Sequence, residues 1–585
     1  MMQNMLNLTI GQQLDRVAAH YPDREAVAYV DRPYRRTWRE FREECDLAAR
    51  GLLAIGIGKG DHVAIWATNV PEWLITLFAT AKIGAVLVTV NTNYKKYELE
   101  YLLEQSDAKA LVLIDGFKGN DYFETLNAVC PSLKNSAPGH LHEPSLPFLK
   151  SVIHVGGRPV PGTYRFEDLF RLGGGFSEEE YRRVESSLDA QDVIDMQYTS
   201  GTTGFPKGVM LTHYNILNNG KGIGDCMKLT EKDKLCIPVP FFHCFGLVLG
   251  VMACLTHSTS MVPVEHFRPT VVMDAIDREG CTAVHGVPTM FIAMLEHSEF
   301  RNHRFAKLRT GIMAGSPCPE KIMRKVVDEM HMREITITYG ETESSPASTM
   351  TTTGDPLELR VRTVGKAMPG VETRIVDPKT GREQPVGVPG EFCSRGYNTM
   401  KGYYKMPEET ARVIDPEGWL HTGDLACVDK NGYYRITGRI KDMIIRGGEN
   451  IYPKEIEEFL YSHPAVRDVQ VVGVPSEEYG EEIAACIILK PGMSATGDEI
   501  RDYVAAQLAR HKVPKYVCFM KEFPVTASGK IQKYRLREIV AKRVGNPGRR
   551  EVGKSPDRKD RSRSEIREKT ARSRPSGLCK MKKYF

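Results

Sequence analysis

Apolar and polar residues alternate along the first half of the chain with two different periods. Pro71 to Ile83 reads as a helix, and Gly84-Ala85-Val86-Leu87-Val88-Thr89-Val90 reads as a buried strand. Tyr97 to Gln105 is again helical, and Ala110-Leu111-Val112-Leu113-Ile114 is again a strand. Continuous apolar strands joined by helices predict parallel α/β layers, and similar alternation continues past Ile312. Lys118 to Ala190 is less regular, with Pro and Gly punctuation and the run Gly173-Gly174-Gly175. It reads as surface excursions. Dense Gly, Pro and short strands from Gly365 to Gly402 predict a small β-rich subdomain. From Ile440 the pattern restarts. Pro453 can open a helix with Ile456, Phe459 and Leu460 on one face. Val469 to Val472 and Ile483 to Leu489 read as strands, Ile500, Val504 and Leu508 mark a helix, and Tyr516 to Met520 is a further strand. This second region has the size of an independently folding α+β domain.

A chain of 585 residues predicts a large multilayer domain and at least one more. The boundaries expected are 1–438 for the first domain, 439–441 for a hinge, 442–544 for a small C-terminal domain and 545–585 for a tail. The 13 cysteines are scattered, with no CxxC pair and no zinc-type Cys/His spacing. They read as reduced thiols of a cytoplasmic protein. Met1 to Leu14 lacks the pattern of a signal peptide. The longest apolar stretch, Gly246 to Leu255, is too short for a membrane-spanning helix.

The net charge of +5 conceals an uneven distribution. Residues 545–585 hold 14 Lys and Arg against 5 Asp and Glu, leaving 65 basic and 69 acidic residues in the body. The mildly acidic body argues against nucleic-acid binding. The tail, rich in Arg, Lys, Ser and Pro, should be disordered. It reads first as a functionless extension and otherwise as a basic arm for a membrane surface, with weak affinity, or for nucleic acid.

The densest chemistry lies in Thr199-Ser200-Gly201-Thr202-Thr203-Gly204-Phe205-Pro206-Lys207-Gly208, where seven of ten residues are Gly, Ser or Thr. Glycines let backbone N–H groups close around an anion, hydroxyls add donors, and Lys207 adds a positive charge, which suits a polyphosphate. A Walker loop needs Ser or Thr after its lysine; here Gly208 follows Lys207, so this is not a kinase or GTPase loop. Apolar runs at Val193-Ile194 and Val209-Met210-Leu211 frame the stretch and argue against a flexible linker.

Four further blocks follow in order: Ala314-Gly315-Ser316-Pro317-Cys318-Pro319-Glu320, Tyr339-Gly340-Glu341-Thr342-Glu343, Trp419-Leu420-His421-Thr422-Gly423-Asp424 with Gly438-Arg439, and Pro524-Val525-Thr526-Ala527-Ser528-Gly529-Lys530. Together the five resemble the adenylate-forming (ANL) superfamily of acyl-CoA synthetases, luciferases and peptide-synthetase adenylation domains, over nearly the whole chain except the tail. Ile445-Arg446-Gly447-Gly448-Glu449-Asn450-Ile451-Tyr452-Pro453 looks like the fatty-acyl members. The resemblance implies a layered α/β adenylate-forming domain with a small β subdomain, followed by a small mobile C-terminal domain. It also implies an AMP-forming acyl-CoA synthetase using ATP, Mg2+ and CoA on a medium- to long-chain fatty acid.

The same resemblance implies residue roles. Thr199, Ser200, Gly201, Thr202, Thr203, Gly204 and Lys207 would hold the β- and γ-phosphates. Thr342 would meet the α-phosphate, and Glu343 would bind magnesium. Gly315, Ser316 and Tyr339 would flank the adenine, Gly340 would belong to the same nucleotide site, and Asp424 and Arg439 would meet the ribose. Lys530 would reach the α-phosphate and the carboxylate oxygen during adenylation. The C-terminal domain would then turn about Lys441, bringing Arg446, Gly447 and Gly448 toward the pantetheine of CoA. His243, Phe245, Gly286, Val287 and Gly311 would line the acyl pocket. Glu341 departs from the uncharged residue usual at its position. An aromatic or alicyclic carboxylate ligase, a carrier-loading adenylation enzyme and a non-catalytic nucleotide-binding regulator remain alternatives.

Overall fold

The computed structural model describes residues 5–199, 206–316, 318–446, 449–526 and 531–544. The basic tail expected at 545–585 lies outside them. The described chain divides into two units. One runs to Lys441 and takes in residues 525–526 and 531; the other holds the remainder from Asp442 onward.

The first unit is built on two large sheets. One has the strand order Gly402–Tyr403, Lys207–Thr212, Val193–Thr199, Val86–Thr89, His62–Trp66, Ala108–Ile114, Ser151–Val155, Tyr164–Arg165. Its central pairings are parallel, and Lys207–Thr212 runs antiparallel to Val193–Thr199. The other orders Glu334–Thr336, Thr310–Ile312, Ala283–Val284, Lys234–Ile237, Ser260–Pro263, Glu25–Ala28 and Arg35–Thr37, parallel up to its final hairpin. A smaller antiparallel sheet of Val371–Val376, Gly390–Gly396, Leu420–Val428 and Tyr434–Arg439 supplies the β-rich subdomain, which extends well beyond Gly402.

The helix Pro71–Ile83 packs on the strands His62–Trp66 and Val86–Thr89 of the first sheet. Pro71 sits in the first turn, where a missing N–H costs nothing, and Gly84 ends the helix at φ 70. Every residue of the helix except Glu72 is buried. Lys82 is among them, fully buried, with Nζ 2.9 Å from carboxylates of Asp15, Asp46 and Glu185. Desolvation opposes its charge, but the three carboxylates win and hold it firmly protonated. Tyr181 closes the network, donating to Asp46 Oδ1 at 2.8 Å.

The reading of Lys118 to Ala190 as surface excursions is overturned. Ser151–Val155 is a strand of the large sheet, and Tyr122–Val129, Phe166–Gly174 and Glu178–Ser186 are helices whose Phe166, Leu169 and Tyr181 are buried. The glycines misled because they serve a helix crossing and not a loop. A Cβ on Gly173 would lie 2.0 Å from the Leu47 carbonyl oxygen, and one on Gly51 would lie 2.1 Å from that of Leu169. The two helices therefore touch backbone to backbone.

The second unit packs the helices Pro453–Leu460, Gly497–Ala505 and Lys533–Val544 with a sheet of Ile444–Arg446, Glu449–Ile451, Gly480–Leu489, Val466–Ser476 and Tyr516–Phe519. Leu508 falls beyond the end of its expected helix. Its N–H still reaches the Val504 carbonyl at 2.8 Å, and its side chain packs on the same core. Among the described residues no helix is long and apolar enough to cross a membrane.

Candidate functional site

Thr199 and Lys207 are cross-strand partners at the ends of the two antiparallel strands that flank the Gly/Thr-rich stretch in sequence. Ser200, Gly201, Thr202, Thr203 and Gly204 lie outside the described residues, as do Gly447, Gly448 and Lys530. The turn Thr342–Ser344 brings Glu343 to these strands, where its Oε1 accepts from Thr199 Oγ1 at 3.4 Å and from Tyr403 Oη at 2.8 Å. Burial and the nearby Glu343 push the Tyr403 hydroxyl far above its usual pKa, so it stays a donor. Lys207 Nζ pairs with Glu409 and stands 4.8 Å from the centre of the Tyr403 ring. Thr342 is buried, its Oγ1 3.8 Å from Cys244 Sγ.

A second cluster gathers on the small sheet. Asp424 faces Arg439 across the strand pair, with Arg439 Nε 2.9 Å from Oδ1, and Tyr339 donates to Oδ2 at 2.9 Å. Asp424 and Tyr339 are well sheltered, whereas the Arg439 side chain is half exposed. Gly340, at φ 156, has no room for a side chain: a Cβ would meet the Pro346 carbonyl at 1.9 Å. Glu341 is raised well above the usual carboxylate range by burial first, then by Glu343 and Asp424, with Arg439 and Lys441 opposing. The segment Tyr339–Glu343 therefore serves both clusters. Lys441 lies in the short turn Ile440–Asp442 at the boundary between the two units.

Of the residues expected at the acyl pocket, Gly286 and Val287 follow the parallel strand Ala283–Val284 and Gly311 lies within the strand Thr310–Ile312; Gly315 and Ser316, expected beside the adenine, follow that second strand. Phe245 opens a wide, wholly buried helical segment, Phe245–Met252, and its ring centre lies 5.7 Å from that of His285. His243 Nδ1 accepts the Phe245 N–H at 3.1 Å. His285 is pushed down to about 4 by burial, and its Nε2 reaches the Leu249 carbonyl at 2.9 Å. Gly311 is required by the sheet itself, since a Cβ there would lie 1.9 Å from the Val284 carbonyl oxygen. A cavity of about 770 Å³ lies elsewhere, lined by Met210, Met400, Lys401, Tyr403 and Met406 among others, and none of the acyl-pocket candidates borders it.

In the second unit Arg446 forms a two-pronged pair with Glu482, at 2.8 and 3.1 Å, and covers the Tyr479 ring at 4.4 Å. Sequence reasoning missed Tyr403, Glu409 and Glu391. Each acts through a partner more than thirty positions away in the chain, which no local motif signals.

Residues 14–404 match the family described as AMP-binding enzyme, and residues 455–530 match AMP-binding enzyme C-terminal domain. The chain is 54% identical over 537 residues to the putative acyl-CoA synthetase YngI of Bacillus subtilis (strain 168), covering 92% of this chain and 98% of that protein. It is 41% identical to the mitochondrial medium-chain acyl-CoA ligase ACSF2 of Mus musculus, covering 92% and 88% of the two chains. The solved structure of the anthranilate CoA ligase AuaEII in complex with anthranoyl-AMP superposes with a TM-score of 0.81 at 26% identity, covering 92% of this chain and 98% of that one.

Proposed function

The chain belongs to the AMP-binding enzyme family, as an AMP-forming acyl-CoA synthetase joining a carboxylic acid to CoA through a thioester, and we propose that its acid is an alkyl carboxylate of medium to long chain. The reading of the site rests on one observation: Tyr339–Glu343 joins a cluster of hydroxyl, lysine and carboxylate to a cluster built on Asp424.

A carboxylate is a poor electrophile. Its attack on the α-phosphorus of ATP releases pyrophosphate and leaves an acyl-AMP, from which a thiol displaces AMP. That first step brings an anion to a polyanion, so positive charge must offset the repulsion. In our reading Thr199, Ser200, Gly201, Thr202, Thr203, Gly204 and Lys207 hold the β- and γ-phosphates, and Lys207 exchanges Glu409 for phosphate. Thr342 meets the α-phosphate. Asp424 accepts from the ribose hydroxyls, Arg439 lies beside it, Gly315, Ser316 and Tyr339 flank the adenine, and Gly340 belongs to the same nucleotide site.

Glu343 fits magnesium. Its oxygens are hard donors, Oε1 is oriented by Thr199 and Tyr403, and Oε2 accepts no hydrogen bond from a described residue. Mg2+ bound there would neutralise phosphate charge. Lys530 acts in adenylation, and Arg446, Gly447 and Gly448 serve the CoA step after movement about Lys441. His243, the apolar Phe245 and Val287, and Gly286 and Gly311 would line the path of an alkyl tail. The name of the ACSF2 relative, a medium-chain ligase, favours the same class of acid.

The test is AMP formation from ATP and Mg2+ over acids from acetate to long fatty acids, with benzoate and phenylacetate, each with and without CoA. Turnover that depends on CoA and peaks over one range of alkyl lengths is the expected result. A preference for the aromatic acids would replace the acid and keep the reaction. Turnover with a carrier protein in place of CoA would contradict the CoA assignment.

A further inference from the structure

The strand that carries Asp424 is irregular at that point. Glu391 pairs with Leu425 and Cys393 with His421, so two steps on one strand match four on the other. The surplus makes a bulge at Thr422-Gly423-Asp424, with Gly423 at φ 68. Bulges re-aim side chains and leave ladder groups without their usual partners.

Here side chains replace the missing ladder bonds. Thr422 Oγ1 donates to the Phe392 carbonyl at 2.7 Å and accepts the Asp424 N–H at 3.2 Å. Glu391 Oε1 accepts the Gly423 N–H at 3.0 Å. Glu391 Oε2 lies 3.0 Å from His421 Nδ1, and the other His421 nitrogen faces Asp415 Oδ2 at 3.6 Å. Cys393 Sγ stands 3.4 Å from His421 Nδ1. The contacts with Cys393 and Glu391 push His421 up to about 10, so the ring is cationic at neutral pH. Glu391 is only 13% exposed, which strengthens its bonds relative to a solvated carboxylate.

We propose that Glu391 and His421 form a charged clamp that holds the bulge in the shape presenting Asp424 to the nucleotide ribose. They are positioning residues, acting through Gly423 on Asp424. The clamp rests on the reading of Asp424 as the ribose acceptor given above. A metal centre is the competing explanation, because Glu391, Cys393 and His421 place their donor atoms within 4.8 Å of one another. The hydrogen-bonded clamp is favoured because Glu391 already spends one oxygen on the Gly423 N–H and the other on His421.

The experiment measures kcat and KM for ATP, 2′-deoxy-ATP and 3′-deoxy-ATP in the wild-type enzyme, Glu391→Ala, Glu391→Gln and His421→Gln. Wild-type enzyme should prefer ATP over at least one deoxynucleotide by about tenfold or more, the size of one lost hydrogen bond to a charged group. Glu391→Ala should raise the KM for ATP roughly tenfold, change kcat little, and shrink the preference toward unity. Glu391→Gln, which keeps an acceptor for Gly423, should recover part of it. A wild type without preference would refute the ribose role of Asp424. A preference unchanged in Glu391→Ala and His421→Gln, with the wild-type preference intact, would refute the clamp alone. The wild type is also titrated with Co2+: absence of a thiolate-to-cobalt band is expected. A one-equivalent band lost in Cys393→Ser would overturn the clamp in favour of a metal site.

Discussion

Replacing Tyr403 by Phe isolates one hydroxyl at the centre of the proposed site. The hydroxyl donates to Glu343 Oε1 at 2.8 Å, while the ring face, 4.8 Å from Lys207 Nζ, survives the change. Tyr403 is 6% exposed, so water does not readily replace the lost donor. Such a bond to a charged group contributes about 1.5–3 kcal/mol. Residues that orient a metal ligand typically change metal affinity by about 10–100-fold when removed. Because the remaining Thr199 contact is longer, at 3.4 Å, Tyr403 is the main restraint on Oε1. Tyr403→Phe should therefore raise the Mg2+ concentration for half-maximal AMP formation about tenfold, equivalent to ~1.4 kcal/mol. A thermal melt should confirm that the fold persists, and Tyr403→Leu, which also removes the ring from Lys207, should weaken ATP binding further. An unchanged Mg2+ requirement in a folded Tyr403→Phe enzyme would refute the argument that Tyr403 positions Glu343 for a cation.

Three other outcomes follow from the same structure and sequence. Lys82→Met leaves Asp15, Asp46 and Glu185 facing one another without their cation, and should destabilise the first unit by about 3–5 kcal/mol in denaturant titrations at pH 7, less at acid pH; a loss under about 1 kcal/mol would contradict it. Asp195 is wholly buried and pushed up to about 7 by that burial, and among the described residues only the Gln197 side chain donates to its carboxylate, at 2.9 Å. Its raised value favours the folded state at low pH and works against it as pH climbs from about 4 through 7, so Asp195→Asn should raise the unfolding free energy by about 4 kcal/mol more at pH 8 than at pH 4, read by denaturant titration; equal shifts at both pH values would exclude this. Lys530→Ala should abolish adenylation and spare thioester formation from supplied acyl-AMP; equal loss of both half-reactions would refute the division of labour.

Much of the scaffold was legible because its signals are local. Pro71 and Gly84 bracket a helix within fourteen positions, and the apolar runs at Val86 and Ala110 need no distant partner to read as strands. Gly173 was misread because its reason is the backbone of Leu47, on another helix. The five motif blocks were legible as blocks, yet the sequence could not join Tyr403 to Glu343 or Glu391 to Gly423. Those contacts depend on strand register, and a two-residue surplus in one strand is invisible without its partner. Glu341 was visible as an extra acid, but its setting between Glu343 and Asp424 emerges only from the fold.

The central claim is reaction through an acyl-adenylate, and pyrophosphate–ATP exchange tests it most directly. Labelled pyrophosphate, ATP, Mg2+ and a fatty acid are combined with the enzyme in the absence of CoA. Label should enter ATP only when the acid is present, and acyl-CoA and AMP should be released once CoA is added. Acyl-CoA formation without any acid-dependent exchange, or with ADP as the nucleotide product, would contradict it.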